Sequence, residues 1–97
     1  MNTFEIIEMF ASKIYKTYTN TTEIKIMIGN TANNYSWFPG PGTIQVTVSD
    51  KLEMKIDVVS IQAMTLSQIR DFKDDLNKAI VLMSVIQGMI DIENSKE

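Results

Sequence analysis

The side chains best suited to chemistry in this chain are carboxylates. Asp71, Asp74 and Asp75 crowd one short stretch, and Asp50 lies three residues before Glu53. Close carboxylates can share acid–base work or hold a cation. The first group, however, falls near the expected start of a helix, where the backbone dipole tolerates negative charge and acids ordinarily form a solvated face. Nothing else completes a site. The chain has no histidine and no cysteine, which removes the commonest general base, the commonest metal ligand and any thiolate. Ser36, Ser49, Ser60, Ser67 and Ser84 therefore have no imidazole to activate them, and no lysine stands in a motif that would replace it. Gly40 and Gly42 each follow a proline, which lacks the N–H that a phosphate-cradling loop must donate. The expectation is a non-enzymatic protein with no catalytic residues, no metal and no cofactor.

Charge narrows the partners. Twelve acids against nine basic residues leave a net charge of −3. Phosphate-backbone binding calls for clustered lysine and arginine. Here Lys13, Lys16, Lys25, Lys51, Lys55, Arg70, Lys73 and Lys78 are scattered among the acids, so nucleic acid is not the expected partner. The opening Met1-Asn2-Thr3-Phe4-Glu5 has no basic stretch of the kind that begins a signal peptide. Without cysteines there is no disulfide scaffold either, and a cytoplasmic protein is expected. Abundant isoleucine, scarce alanine and a single arginine hint at an A+T-rich genome, such as that of a low-GC bacterium or its virus.

At 97 residues with 44% hydrophobic content, the chain fits one domain covering residues 1–97, with 93–97 as a frayed tail. The core must be thin, because a domain of this size hides only about 60–70% of the surface its unfolded chain exposes. Residues 3–18 place Phe4, Ile7, Phe10, Ala11, Ile14 and Tyr18 at three-and-four spacing, which predicts an amphipathic helix capped by Asn2. Period-two alternation follows in three stretches. Ile24, Ile26 and Ile28 oppose Glu23, Lys25 and Met27; Ile44, Val46 and Val48 oppose Thr43, Gln45 and Thr47; Met54, Ile56 and Val58 oppose Glu53, Lys55 and Asp57. Such alternation marks antiparallel strands with one buried and one wet face. Ser49-Asp50-Lys51-Leu52 is short enough for a hairpin turn. Residues 34–38, ahead of the Pro39-Gly40-Pro41-Gly42 turn signal, are expected as a short edge strand. A long helix is predicted from about Leu66 to Ile92, with Thr65 and Gln68 as its capping box.

The expected architecture is an α+β fold: two helices packed on one face of a three- to four-stranded antiparallel sheet, in the order α-β-(β)-β-β-α. That order resembles the double-stranded-RNA-binding domain across most of the chain. The resemblance would imply RNA binding through a basic start to the second helix and a Gly-Pro-x-His turn. Here the second helix begins Thr65-Leu66-Ser67-Gln68-Ile69-Arg70-Asp71, which is not basic, and Pro41-Gly42-Thr43 is followed by no histidine. The likeness is one of element order, and element order does not carry function.

The second helix holds the informative anomaly. Leu66, Ile69, Phe72, Leu76, Ile80, Met83 and Ile90 make one apolar stripe for the sheet. Its second half then adds Val81, Val85, Met89 and Ile92 on the opposite side, with Leu82 beside them. A helix apolar all round is buried all round. The run from Ala79 to Ile92 is interrupted by Ser84, Gln87 and Asp91 and falls short of the roughly 20 residues a membrane span needs. Either the chain covers the second stripe itself, with its first helix or the Tyr35-Trp37-Phe38 segment, or a second chain does. Gly88, which costs a helix about 1 kcal/mol relative to alanine, would let two backbones approach. Val81, Val85, Gly88, Met89 and Ile92 are therefore the expected interface of a homodimer. Tyr35, Trp37 and Phe38 form a second candidate, a recognition loop. The functional expectation is a protein-interaction module that self-associates through its C-terminal helix and engages a second protein, in the manner of a viral or mobile-element inhibitor of a host enzyme. The alternatives are a nucleic-acid accessory protein using Lys13, Lys16 and the aromatic loop, or a dimer that holds a small ligand between its subunits.

Overall fold

The computed structural model describes residues 1–29, 42–60 and 62–96. Six elements follow one another: α1 (Thr3–Ser12), β1 (Lys16–Thr19), β2 (Glu23–Ile28), β3 (Ile44–Ser49), β4 (Met54–Val58) and α2 (Leu66–Asn94). The four strands form one antiparallel sheet in the order β1-β2-β3-β4, and with the two helices they make an α+β fold.

The centre of the sheet follows from the alternation. Ile24, Ile26 and Ile28 of β2 sit opposite Val48, Val46 and Ile44 of β3, and all six side chains are removed from solvent. Into the same cluster α1 sends Ile7 and Ala11, and α2 sends Ala79, Leu82, Ile86 and Ile90. Burying each of the larger aliphatics contributes about 1.5–3 kcal/mol, so this cluster is the main source of stability. The polar sides of β2 and β3 meet Lys25 with Thr47 and Met27 with Gln45, and Gln45 Nε2 donates to Thr47 Oγ1 at 3.2 Å.

The first helix is shorter than its periodicity predicts. Asn2 caps it, its side chain accepting from the Glu5 N–H at 2.9 Å. It ends at Ser12 rather than reaching Tyr18, with the Ala11 carbonyl accepting from both Ile14 N and Tyr15 N. Lys16-Thr17-Tyr18-Thr19 instead pairs with β2, Lys16 against Met27 and Thr19 against Ile24. Two reasons favour the strand. Threonine and tyrosine are strand formers, and the edge of β2 offers this segment a ladder of backbone partners that a fourth helical turn would leave unfilled. The turn between these strands is held by Asn20, whose Oδ1 accepts from Thr22 N, Glu23 N and Thr22 Oγ1 at 2.8–2.9 Å. The fourth strand of the sheet is thus β1. The strand expected at 34–38 lies outside the described residues.

The β3–β4 hairpin matches expectation. Leu52 N donates to the Ser49 carbonyl, Glu53 N to Ser49 Oγ, and Asp50 N reaches across to the Thr22 carbonyl. Leu52 holds the turn with φ of 62°, in the left-handed region that non-glycine residues seldom occupy.

The second helix opens on the expected capping box, with Gln68 N donating to Thr65 Oγ1 at 3.2 Å and Thr65 N to Gln68 Oε1 at 2.8 Å. Its 29 residues span about 43 Å at 1.5 Å per residue. Its buried face differs from the predicted stripe. Leu66, Ile69 and Ile80 are exposed, whereas Leu82, expected beside the outer strip, is buried with Ala79, Ile86 and Ile90. Phe72, Leu76, Met83 and Met89 pack partly against the core. The inward face is turned by roughly 80° from the stripe read off the sequence, taking 3.6 residues per turn. The physical cause is α1. α2 packs on β2 and β3 and also on α1, so it buries an arc that faces both.

Candidate interaction surface

The expected interface residues lie on the side of α2 directed away from the sheet. Val81, Val85 and Ile92 are 64%, 41% and 63% exposed, although the same helical turns bury Leu82, Ile86 and Ile90 on their inner side. Met89 is half-buried and packs toward the core. A Cβ placed on Gly88 would meet nothing within 4 Å, so no contact within the described chain requires glycine there. Among the described residues, α1 does not cover Val81, Val85 and Ile92; the other cover the sequence allows, Tyr35-Trp37-Phe38, lies outside the described residues.

The strip is wider than the sequence indicated, because α1 adds to it. Phe10, Ile14 and Tyr15 join Asn77, Lys78, Val81, Leu82 and Val85 around a mainly apolar groove of about 310 Å³. Ile14 leaves the helix just after its end and is exposed, as are Ile6 and Met9. Ile6, Phe10 and Ile14 follow one another at four-residue spacing. That signal was available in the sequence, but Phe10 and Ile14 also fit the predicted core stripe, so spacing alone could not separate core from surface.

The acidic residues gather elsewhere. Asp71, Asp74 and Asp75 line a cleft of about 360 Å³ with Tyr15, Ile28, Gly29 and Lys78. Lys78 Nζ lies 3.5 Å from Asp75 Oδ1, and Asp75 Oδ2 lies close over Gly29, whose φ is +108°. Among the described residues, no three acids, histidines or cysteines come together in a way that could hold a metal ion. Asp50 and Glu53 sit at the β3–β4 turn, where the Glu53 amide donates to Ser49 Oγ within the hairpin and the Asp50 amide donates to the Thr22 carbonyl across the sheet end.

Of the other candidates, Tyr35, Trp37 and Phe38 lie outside the described residues. Lys13 and Lys16 are exposed at the junction of α1 and β1. Among the described residues, no helix is long and apolar enough to cross a membrane.

No family model, curated protein or solved structure matches this chain.

Proposed function

We propose that this chain is a non-enzymatic protein-interaction module that associates with a second copy of itself through the outer face of α2. The observation that carries this reading is the exposure of Val81, Val85 and Ile92 on turns whose inner side is already packed. Three aliphatic side chains in a row on a well-anchored helix form a contiguous apolar strip, and strips of this kind mark association surfaces.

The spacing supports a second copy as the occupant. Val81, Val85, Gly88 and Ile92 are separated by four, three and four residues, a pattern that reads the same in both directions. Two such helices running antiparallel about a two-fold axis bring Val81 against Ile92 of the second copy and Val85 against its Gly88. The valine then fills the space that glycine leaves. Closed two-fold pairs are the commonest oligomers, and a self-complementary strip meets their requirement directly. Ile14 and the groove beside Val81 extend the contact onto α1.

The test pairs Val85→Asp with Ile92→Asp. Both side chains are exposed, so the variant should keep its far-ultraviolet circular dichroism spectrum, while light scattering shows a smaller assembly than the wild type. An unchanged assembly size in the folded variant rejects the helix contact.

A further inference from the structure

β4 is a terminal strand of the sheet, and its apolar side is poorly covered. Met54, Ile56 and Val58 oppose Val48, Val46 and Ile44, which are fully buried, yet Ile56 and Val58 are each 40% exposed. The helix reaches over β2 and β3 and stops short of closing this side. Its flank toward β4 instead leaves Ile80 61% exposed, and Ile80 and Met83 line an open groove of about 540 Å³ together with Met54, Ser84, Gln87, Gly88 and Asp91.

The backbone at this edge has a defined parity. Val59 N donates to the Thr43 carbonyl, and Ser49 N donates to the Glu53 carbonyl. Odd-numbered residues of this segment therefore use their backbone groups toward β3. Strand geometry alternates these directions, so the N–H and C=O groups of Met54, Ile56 and Val58 point to the outer edge. Among the described residues, no strand pairs with them.

We infer that β4 pairs antiparallel with β4 of a second copy, centred on Ile56, to make a continuous eight-stranded sheet. In this register Met54 meets Val58 of the second copy and Ile56 meets its own counterpart, so each outward backbone group finds a partner. On the opposite face, Lys55 falls against Asp57 of the second copy and Asp57 against its Lys55. These are non-hydrogen-bonded positions, where side chains come closest and opposite charges help. The neighbouring registers fail on charge. A shift one way sets Lys55 against Lys55 and Asp57 against Glu53; a shift the other way sets Asp57 against Asp57. Charged residues ordinarily protect an edge from pairing. Here their order, Lys-Ile-Asp, favours the register centred on Ile56 over the two registers beside it. The paired apolar faces would lie between the Ile80 flanks of the two α2 helices.

This contact is made by the backbone edge of β4, whereas Val81 and Val85 border α1; of the α2 strip, Gly88 also lines the groove beside Met54. Two distinct two-fold contacts in one chain build either a closed tetramer or an open row.

The experiment is a charge exchange, read by analytical ultracentrifugation in low salt on Lys55→Asp, Asp57→Lys and the double variant. Both substitutions are on the solvent side of the sheet. Each single change sets like charges opposite one another across the strand pair and should weaken association roughly tenfold. The double variant restores opposite charges and should recover wild-type affinity. The same set is repeated with Val85→Asp and Ile92→Asp present, so that only the strand contact is measured. Hydrogen exchange supplies an independent reading: the amides of Met54, Ile56 and Val58 should be slow in the assembled protein and fast in the single variants. Equal association of all variants, or fast exchange at these three amides in the wild-type assembly, overturns the inference.

Discussion

The pair β2–β3 and the edge strand β4 carry the same alternation of apolar and polar residues, yet they meet different environments. Ile26 and Val46 face each other and are sealed. Ile56, on the same side of the sheet and opposite Val46, is half wet. Period two tells which side of a strand is apolar; it does not tell whether anything lies on top. Coverage depends on how far the helices extend sideways, and the described residues supply one long helix and one short one. The apolar faces of β2 and β3 are sealed, and β4 is left with an apolar face larger than its cover.

Point substitutions separate the sealed centre from the half-covered edge. Ile26→Ala removes a sealed side chain and should cost about 2–5 kcal/mol in denaturant unfolding. Ile56→Ala, measured in dilute solution, should cost only about 1 kcal/mol because half the side chain is already solvated. Equal costs for the two would erase the distinction. Gly42 belongs to the sealed region. Its φ is +74°, and a Cβ there would lie 2.8 Å from Phe72 Cδ2 and 3.3 Å from Met64 Sδ. Gly42→Ala should therefore lose about 1–2 kcal/mol from the left-handed backbone alone, with further loss from displaced Phe72, as a lowered melting temperature will show.

Thr65→Ala should cost about 1 kcal/mol. Its effect should appear first as faster hydrogen exchange at Gln68 and Ile69, whose amides are held by Thr65, while the β2–β3 amides stay protected. Gly88 gives the smallest effect and the opposite sign. Since its surroundings are open, Gly88→Ala should stabilise the separate chain by up to about 1 kcal/mol. The added methyl enters the seam proposed for α2, so association should weaken while the melting temperature of the dilute protein rises.

Much of the fold was legible locally. The three alternating stretches became β2, β3 and β4, the 49–52 turn became a hairpin, and Thr65 with Gln68 capped the long helix. Each rests on interactions within a few residues or on a period imposed by backbone geometry. The misreadings lie where two patterns overlap. Ile14 and Tyr18 continue a helical spacing from Phe10, yet the segment holding Tyr18 pairs with β2 because a neighbouring strand outbids one more helical turn. Leu82 and Ile80 are both aliphatic and two positions apart. Only the placement of α1 decides that Leu82 turns inward and Ile80 outward.

The candidate surface divides in the same way. An excess of apolar residues in the last turns of α2 is visible in composition and spacing. That Val81, Val85 and Ile92 stay outside, that Met89 turns toward the core and that Ile14 joins the groove all depend on where α1 packs.

The amino-acid order by itself determined the periods, the caps and the turn chemistry, because these follow from contacts a few residues long. It also determined which chemistry the side chains lack, with neither imidazole nor thiol in the chain. The tertiary structure alone decided where α1 stops, how α2 is rotated and which strand is left at the edge. Those outcomes depend on competition among segments distant in sequence for one limited buried surface, and no local pattern records who wins it.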